Sequence, residues 1–272
     1  MPLLTLFGFF MAILANMTGI EGGMIFVPLF ILLFGLSPQE AAGVSMATMV
    51  FGLGAGSLAY ARQRRIDFRL GLLLLTVSLP GTILGALLTP YLPAKALELI
   101  LGLLLVPLGL RMIFRRELGK LQPAIQESSY GWRRGWIDRG GTEFCYTIRR
   151  LPLGLLIYFF IGFVAGLLGI GGGAIKVPSL ILLLGLPPHI AVATSVFTMA
   201  LTALVGGVTH GALGHVLPMY VLYLVPGVLV GSQFGAWLAK RTPATFLAKL
   251  LGWIVILIGL TILAKAFSLW VS

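Results

Sequence analysis

Charged residues are scarce in this chain. They make up 10% of its 272 residues, whereas hydrophobic residues make up 58% and the mean hydropathy is +1.04. About a quarter of the residues in an ordinary soluble domain are charged, so the composition excludes that class. Several apolar runs approach the roughly 20 residues that a helix needs to cross a bilayer. The sequence therefore predicts an all-α integral membrane protein with several spans.

Cysteine and histidine are nearly absent, with one cysteine (Cys145) and three histidines. A single cysteine excludes an internal disulfide framework, and no His, Cys, Asp or Glu spacing indicates a metal site. No nucleophile–base set is present, and the glycine clusters lack the strand-to-helix context of a nucleotide-binding loop. We therefore expect no enzyme activity and no cofactor. His189, His210 and His215 fit separate loop positions better than a proton relay.

The net charge of +11 could by itself indicate nucleic-acid binding. Most of the basic residues, however, lie in short segments between apolar runs, which is typical of cytoplasmic loops. We therefore expect no nucleic-acid partner. In the middle of the chain, arginines alternate with aromatic residues, a pattern that predicts contact with the lipid headgroup layer.

The chain repeats itself at an offset of 150 residues. Between Gly19 and Met49, 17 of 31 positions are identical to their counterparts. The matches include glycines and prolines at fixed offsets, such as Gly19 with Gly169, and chance similarity between apolar stretches would not produce them. The predicted units are repeat 1 (1–114), a cytoplasmic or interfacial linker (115–150) and repeat 2 (151–272).

Loop charge predicts that the two repeats have opposite orientations. The loop 62–69 of repeat 1 is basic, whereas its counterpart 209–215 has no Lys or Arg. By the positive-inside rule, equivalent loops then lie on opposite faces, the central segment is cytoplasmic and both termini are extracytoplasmic. Each repeat must therefore cross the membrane an odd number of times. A re-entrant helical hairpin plus three transmembrane helices satisfies this.

Each repeat contains a glycine-rich break, Gly19–Pro28 in repeat 1 and Gly169–Pro178 in repeat 2. The helical segment after each break is too short for the ~30 Å hydrocarbon core, so we predict a broken, re-entrant hairpin. Free N–H groups at the glycines and the positive end of the short helix would favour an anion. The predicted helical segments are 3–18, 24–35, 38–61, 69–91 and 94–114, then 152–168, 174–186, 188–209, 216–239 and 244–267.

These motifs resemble the TauE/SafE sulfite-exporter-like permeases, also called the TSUP family. The resemblance rests on the paired glycine-rich elements ending in Val-Pro, and on Ala193–Ser195, Tyr60–Asp67 and Gly227–Arg241. It covers nearly the whole chain except roughly 115–150. Glu21 stands where such proteins usually have glycine. The resemblance implies the plasma membrane of a prokaryote and transport of small, often sulfur-containing anions such as sulfite or sulfonates.

Inverted-repeat transporters bind substrate between discontinuous helices near the membrane midplane. We predict such a site where the two breaks face each other. Glu21 and Lys176 admit three interpretations: a structural ion pair, a proton-coupling carboxylate with an anion-binding lysine, or charges in a wet vestibule. The hydroxyl groups could donate to the substrate or bond back to a helix carbonyl. The candidate residues are Glu21, Gly22, Gly23, Ser45, Gly171, Gly172, Gly173, Lys176, Thr194 and Ser195.

The leading hypothesis is a secondary transporter that moves small anions by alternating access, with protons as a candidate coupling ion. Two alternatives stay open: a membrane scaffold or assembly protein without transport, and an anion channel of the same fold. The expected partners are a small anion and the lipid bilayer. A homodimer is compatible with the sequence, but no residue pattern points to one.

Overall fold

The computed structural model describes residues 2–18, 23–113, 132–137, 143–239 and 244–271. Within these ranges the chain forms ten α-helices and one antiparallel β-hairpin. The first five helices are α1 (Pro2–Thr18), α2 (Gly23–Leu33), α3 (Pro38–Arg62), α4 (Phe68–Leu88) and α5 (Ala94–Ile113). The strands are β1 (Trp132–Ile137) and β2 (Glu143–Ile148). The last five helices are α6 (Leu151–Leu168), α7 (Gly173–Pro178), α8 (Pro188–Ala212), α9 (Pro218–Ala239) and α10 (Ala244–Val271).

Four of the described helices are long and apolar enough to cross a membrane: α3, α4 with its 3₁₀ extension to Tyr91, α6 and α8. Shorter apolar stretches occur in α1, α2, α9 and α10. The helices begin and end within a few residues of the predicted segments. The prediction of an all-α membrane fold is confirmed, and the hairpin in the central segment is the element that it did not include.

The helices that follow the two breaks are short, as predicted. α2 has 11 residues, whereas α7 has six and continues as a π-helical turn over Ser179–Leu183. At 1.5 Å per residue, an 11-residue helix rises only about 16 Å. Both stretches end at a glycine with positive φ, Gly35 (65°) and Gly185 (79°). The next amide donates to the carbonyl six residues earlier, at 3.2 Å after α2 and 2.9 Å after α7, a cap one residue wider than the Schellman motif.

Each main pair of packed helices joins one helix of the first half to one of the second, and the set of pairs is symmetric between the halves. α1 packs on α9, and their counterparts, α6 and α4, pack on each other. α3 packs on α8, and α5 packs on α10. In both pairs the two helices correspond to each other in the repeat. Two repeats related by a pseudo-two-fold axis would pack in this way. The domain boundaries at 114 and 150 and the inverted orientation in a bilayer stay predictions.

Glycines bring α4 and α6 into backbone contact. A Cβ added to Gly85 would lie 2.0 Å from the carbonyl oxygen of Phe163, and one added to Gly166 would lie 2.0 Å from that of Thr82. The contact between α1 and α9 has the same character at Gly227. Small residues permit such close approach between membrane helices. Any larger side chain at these positions would separate the helix backbones.

The hairpin packs onto the bundle near α4, α6 and α8. β1 and β2 are antiparallel, with Trp132 opposite Ile148. Tyr146 and Ile148 are buried in an apolar cluster with residues of those three helices. The N–H of Arg149 donates to the carbonyl of Leu184, just beyond the π-helical turn, at 3.2 Å. Part of the predicted linker is therefore folded and belongs to the core.

We expect Gly85→Ala to lower the free energy of unfolding by about 1–3 kcal/mol, the usual cost of overpacking. The added methyl group would meet the Phe163 carbonyl oxygen at 2.0 Å. Gly54→Ala is the matched control, because no atom lies within 4 Å of a Cβ there. Both changes raise helix propensity equally, so thermal unfolding in detergent isolates the packing effect. Equal unfolding temperatures for the two variants would contradict the close α4–α6 contact.

Candidate functional site

The break between α6 and α7 is built from glycines in the left-handed conformation. Gly169, Gly171 and Gly172 have φ values of 70°, 74° and 89°, which residues with side chains disfavour. The carbonyl of Gly169 accepts a hydrogen bond from Ser45 Oγ at 3.0 Å. A Cβ added to Gly169 would lie 2.3 Å from the Cα of Ala42. Helix α3, from the first half of the chain, therefore covers the break in the second half.

The beginning of α2 also lies against this break. A Cβ added to Gly23 would lie 2.8 Å from the carbonyl oxygen of Gly169 and 2.9 Å from the Cα of Ile170. The two glycine-rich elements are thus in backbone contact at Gly23. Glu21 and Gly22, which were also predicted to belong to the site, lie outside the described residues.

Lys176 is fully buried on α7, with 0% of its surface exposed. Its Nζ donates to Thr202 Oγ1 at 3.1 Å, and the Thr202 hydroxyl donates its own hydrogen to the Thr198 carbonyl at 2.7 Å. Because that hydrogen is committed, the lone pairs of the hydroxyl can accept from the ammonium group. Thr202 was missed by the sequence analysis. The threonines at every fourth position of α8, from 194 to 202, were the available signal.

The glycine amides are less accessible than the sequence suggested. The N–H of Gly172 donates to the carbonyl of Ile170 at 2.9 Å, and the Gly172 carbonyl accepts from the amides of Ile175 and Lys176. In this conformation the Gly172 amide is therefore not available to an anion. Gly173 begins α7, whose α-helical part has only six residues. Lys176 is consequently a stronger candidate anion ligand than the backbone of the break.

The predicted hydroxyl residues occupy two different places. Ser45 contacts the break directly, as described above. Ser195 is buried on α8, with its Oγ 3.4 Å from Met199 Sδ one turn later. Thr194 accepts a hydrogen bond from the backbone N–H of Asp67 at 3.0 Å, at the beginning of α4. Thr194 therefore stabilises a separate cluster around Asp67.

Asp67 is a buried carboxylate that the sequence analysis did not single out. Its Oδ1 caps α4 by accepting from the Leu70 N–H at 3.1 Å, and it also accepts from the guanidinium of Arg134. Its Oδ2 accepts from the Tyr146 hydroxyl at 2.7 Å. Burial, and secondly the Asp67 carboxylate, raise the pKa of Tyr146, so the phenol keeps its proton and donates. The cluster ties α4 to the hairpin and, through Thr194, to α8.

Comparison with known proteins identifies the family. The family model described as "Sulfite exporter TauE/SafE" matches residues 4–262. The chain belongs to the TauE/SafE family. This TauE/SafE protein is therefore a multi-pass membrane transporter and not an enzyme, as predicted.

Relatives of this TauE/SafE protein carry transporter names. It is 30% identical over 264 residues to the probable membrane transporter protein YunE of Bacillus subtilis (strain 168), a match covering 94% of this chain and 95% of that one. The probable membrane transporter protein ORF9 of Sinorhizobium sp is 27% identical, over 91% of this chain and 85% of its own. Sulfite exporter TauE/SafE family protein 3 of Arabidopsis thaliana is 32% identical over 112 residues, 41% of this chain and 23% of that protein. No solved structure matches.

We expect Asp67→Ala to destabilise this TauE/SafE protein by about 3–5 kcal/mol, because it would leave the guanidinium of Arg134 buried without its carboxylate. Tyr146→Phe is the matched comparison, since it keeps the ring and removes one hydrogen bond, worth about 1 kcal/mol. Thermal unfolding in detergent would measure both. The assigned role of Asp67 would be wrong if its variant were no less stable than the Tyr146 variant.

Proposed function

We propose that the protein is a secondary transporter that moves small, sulfur-containing anions of the sulfite or sulfonate type across the plasma membrane of a prokaryote. The anion is held beside the helix breaks, and the two halves expose it alternately to either side. The observation that carries this proposal is the fully buried Lys176, which lies on the short helix after the second break.

The charge of Lys176 favours an anionic substrate. Removing an ammonium group from water costs several kcal/mol, which hydrogen bonds and an opposite charge can offset. Thr202 supplies one hydrogen bond at 3.1 Å. Sulfite and sulfonates carry negative charge and several acceptor oxygens, so each hydrogen bond to the lysine would be charge-assisted. Such a bond contributes about 1.5–3 kcal/mol net, which supports an anion over a neutral or cationic substrate.

The position of the break supports transport over a scaffold role. Gly23 of the first half contacts Gly169 of the second, and Ser45 holds the Gly169 carbonyl. Substrate sites in transporters built from inverted repeats lie at such contacts between broken helices. Relative movement of the halves would therefore open and close the surroundings of Lys176.

The other predicted residues complete the proposed site. We assign Ser45 and Gly23 to its first-half wall, and Gly171, Gly172, Gly173 and Ser195 to its second-half wall. Glu21 and Gly22 belong to the same motif as Gly23 and stay predictions, as do the three interpretations of Glu21 with Lys176. Thr194 is held by the Asp67 cluster, so we assign it a supporting role.

Orientation and substrate class rest on sequence patterns. The basic loop 62–69 and the arginines of the central segment favour a cytoplasmic location for both, which places the termini outside. The family description and the name of the Arabidopsis relative refer to sulfite, and they support a sulfur oxyanion. Proton coupling is part of this proposal.

Lys176→Ala should reduce uptake of sulfite or a sulfonate into proteoliposomes by roughly 10–100-fold, because one charge-assisted hydrogen bond is worth about 1.5–3 kcal/mol. Thr202→Val should reduce it less, since the lysine would keep its charge. Lys249→Ala is the matched control, because Lys249 is exposed on α10. All variants are compared at equal abundance in the vesicles.

A panel containing sulfite, thiosulfate, sulfonates and carboxylates would define the substrate class. Normal flux in the Lys176→Ala variant would contradict the assigned anion site. No flux of any anion in the unmodified protein would favour the scaffold alternative. Flux that does not saturate with substrate concentration would favour a channel.

A further inference from the structure

Two of the three histidines lie in direct contact. His210 is on the last turns of α8 and fully buried, and His215 follows in the loop before α9, partly exposed. Their Nδ1 atoms are 3.1 Å apart, and His210 Nε2 lies 2.8 Å from the carbonyl oxygen of Gly166 on α6. The sequence favours separate loop positions for these histidines, and their contact corrects that interpretation.

The hydrogen-bond partners determine where the ring protons lie. A carbonyl oxygen only accepts, so His210 Nε2 carries a hydrogen and donates it to Gly166. In a neutral ring, His210 Nδ1 is then the acceptor. Because the facing atom is Nδ1 of His215, that atom must be the donor. His215 is therefore held with its hydrogen on Nδ1, and its Nε2 keeps a lone pair.

This arrangement has room for one added proton. If His215 Nε2 takes it up, the Nδ1–Nδ1 hydrogen bond is retained, and His215 becomes a cation. If both rings were cationic, both Nδ1 atoms would carry hydrogen and face each other, and the Nδ1–Nδ1 hydrogen bond would be lost. The pair therefore binds one proton without rearranging and excludes a second.

Among the residues that the structure describes, one charged side chain acts on the pair. Glu40 at the beginning of α3 acts on His215, and its carboxylate is fixed by the N–H and hydroxyl of Ser37, at 2.9 and 2.8 Å. α6 and α9 have no charged residue. Arg69 on α4 and Arg62 on α3 each lie at the end of their helix that is distant from the histidine pair. Burial lowers the pKa of His215, and Glu40 opposes that shift, so protonation requires an acidic medium.

The pair is connected to the break. Gly166, the acceptor for His210, is three residues before Gly169, whose carbonyl is held by Ser45. The two hydrogen bonds therefore anchor the last turn of α6 from α8 and from α3. On α8, His210 also lies about two turns beyond Thr202, the partner of Lys176. A change in the His210 hydrogen bond acts on the helix end that borders the proposed anion site.

We propose that His210 and His215 form a proton-binding site, open to the extracytoplasmic side, that couples uptake of an external proton to the conformation of the α6–α7 break. The proposal rests on the transport function and orientation proposed above. It assigns to these two side chains the binding of the coupling ion.

The proton moves in two balanced steps. A proton from the external medium adds to Nε2 of His215, and the hydrogen already on Nδ1 of His215 then crosses to Nδ1 of His210. His215 becomes neutral with its hydrogen on Nε2, and His210 becomes the imidazolium. Burial opposes the charge on His210, and its hydrogen bond from Nε2 to the Gly166 carbonyl, which is then charge-assisted and stronger, offsets part of that cost.

The first test does not depend on transport. Nitrogen NMR of the full protein with ¹⁵N-labelled histidine would contain only three imidazoles, which His→Gln variants would assign. At about pH 7.5, where unperturbed histidine is neutral, we expect hydrogen on Nδ1 of His215 and on Nε2 of His210. At about pH 5 we expect one added proton shared by the pair. Hydrogen on Nε2 of His215 at the higher pH, or two independent titrations, would overturn the proton site.

The second test measures coupling with a sulfonate, whose charge does not change between these pH values. Lowering the external pH from about 7.5 to about 5 should change the rate of sulfonate transport into proteoliposomes at least about fivefold, the lower end of typical coupling between sites. His210→Gln and His215→Gln should abolish this dependence and retain sulfonate exchange at the higher pH. Glutamine at 210 can still donate to Gly166.

His189→Gln is the matched control and should keep the pH dependence. Unchanged pH dependence in both pair variants, or none in the unmodified protein, would overturn the coupling. If the unmodified protein moved no anion, the proposed transport function would fail, and the NMR test alone would then decide whether the pair binds a proton.

Discussion

Backbone N–H and C=O groups at membrane depth have no water to bond with, so a helix can be interrupted there only where other protein groups cover the interruption. The break at Gly169–Gly172 meets this requirement with contacts from the first half of the chain. Ser45 donates to the Gly169 carbonyl, Ala42 packs against Gly169, and Gly23 packs against Ile170. The break in one half therefore depends on the fold of the other, and the glycine contacts of α4 with α6 keep the halves close enough to supply these contacts.

The parts of the fold set by short stretches of sequence could be predicted. Apolar runs predicted the helices, and the glycine-rich stretch of the second half predicted the break at Gly169–Gly172, because glycine and proline act on their own backbone. Contacts between distant side chains were not predicted. Asp67 and Tyr146 are 79 positions apart, and no periodicity connects them. The arginines and aromatic residues of the central segment predicted contact with lipid headgroups. In the structure, the buried Tyr146 and Ile148 pack the hairpin against α4, α6 and α8.

The site itself was predicted only in outline. The sequence placed Lys176 and Ser45 near the breaks, because Lys176 lies within the second glycine-rich stretch and Ser45 follows the first one closely. The spacing of the threonines on α8 indicates one helix face, but the contact of Thr202 with Lys176 depends on how α7 lies against α8. The sequence left open whether Thr194 binds the substrate or another group of the protein. Adjacent helix residues point about 100° apart, and the Thr194 hydroxyl accepts from the Asp67 N–H, a contact that the sequence could not indicate.

The repeat makes the remaining asymmetry informative. Positions related by 150 residues have similar places in the two halves, yet Tyr60 and Asp67 in the first correspond to His210 and Leu217 in the second. At the α3–α4 end, the buried carboxylate of Asp67 joins the helices to the hairpin through Arg134 and Tyr146. At the α8–α9 end, a histidine pair contacts α6 through the Gly166 carbonyl. Under alternating access, the two closed states must be close in free energy for the protein to cycle between them. The ion pair of Asp67 lies at one end, and the histidine contact that one proton can strengthen lies at the other. With this asymmetry, the external pH alone would set the relative free energy of the two closed states.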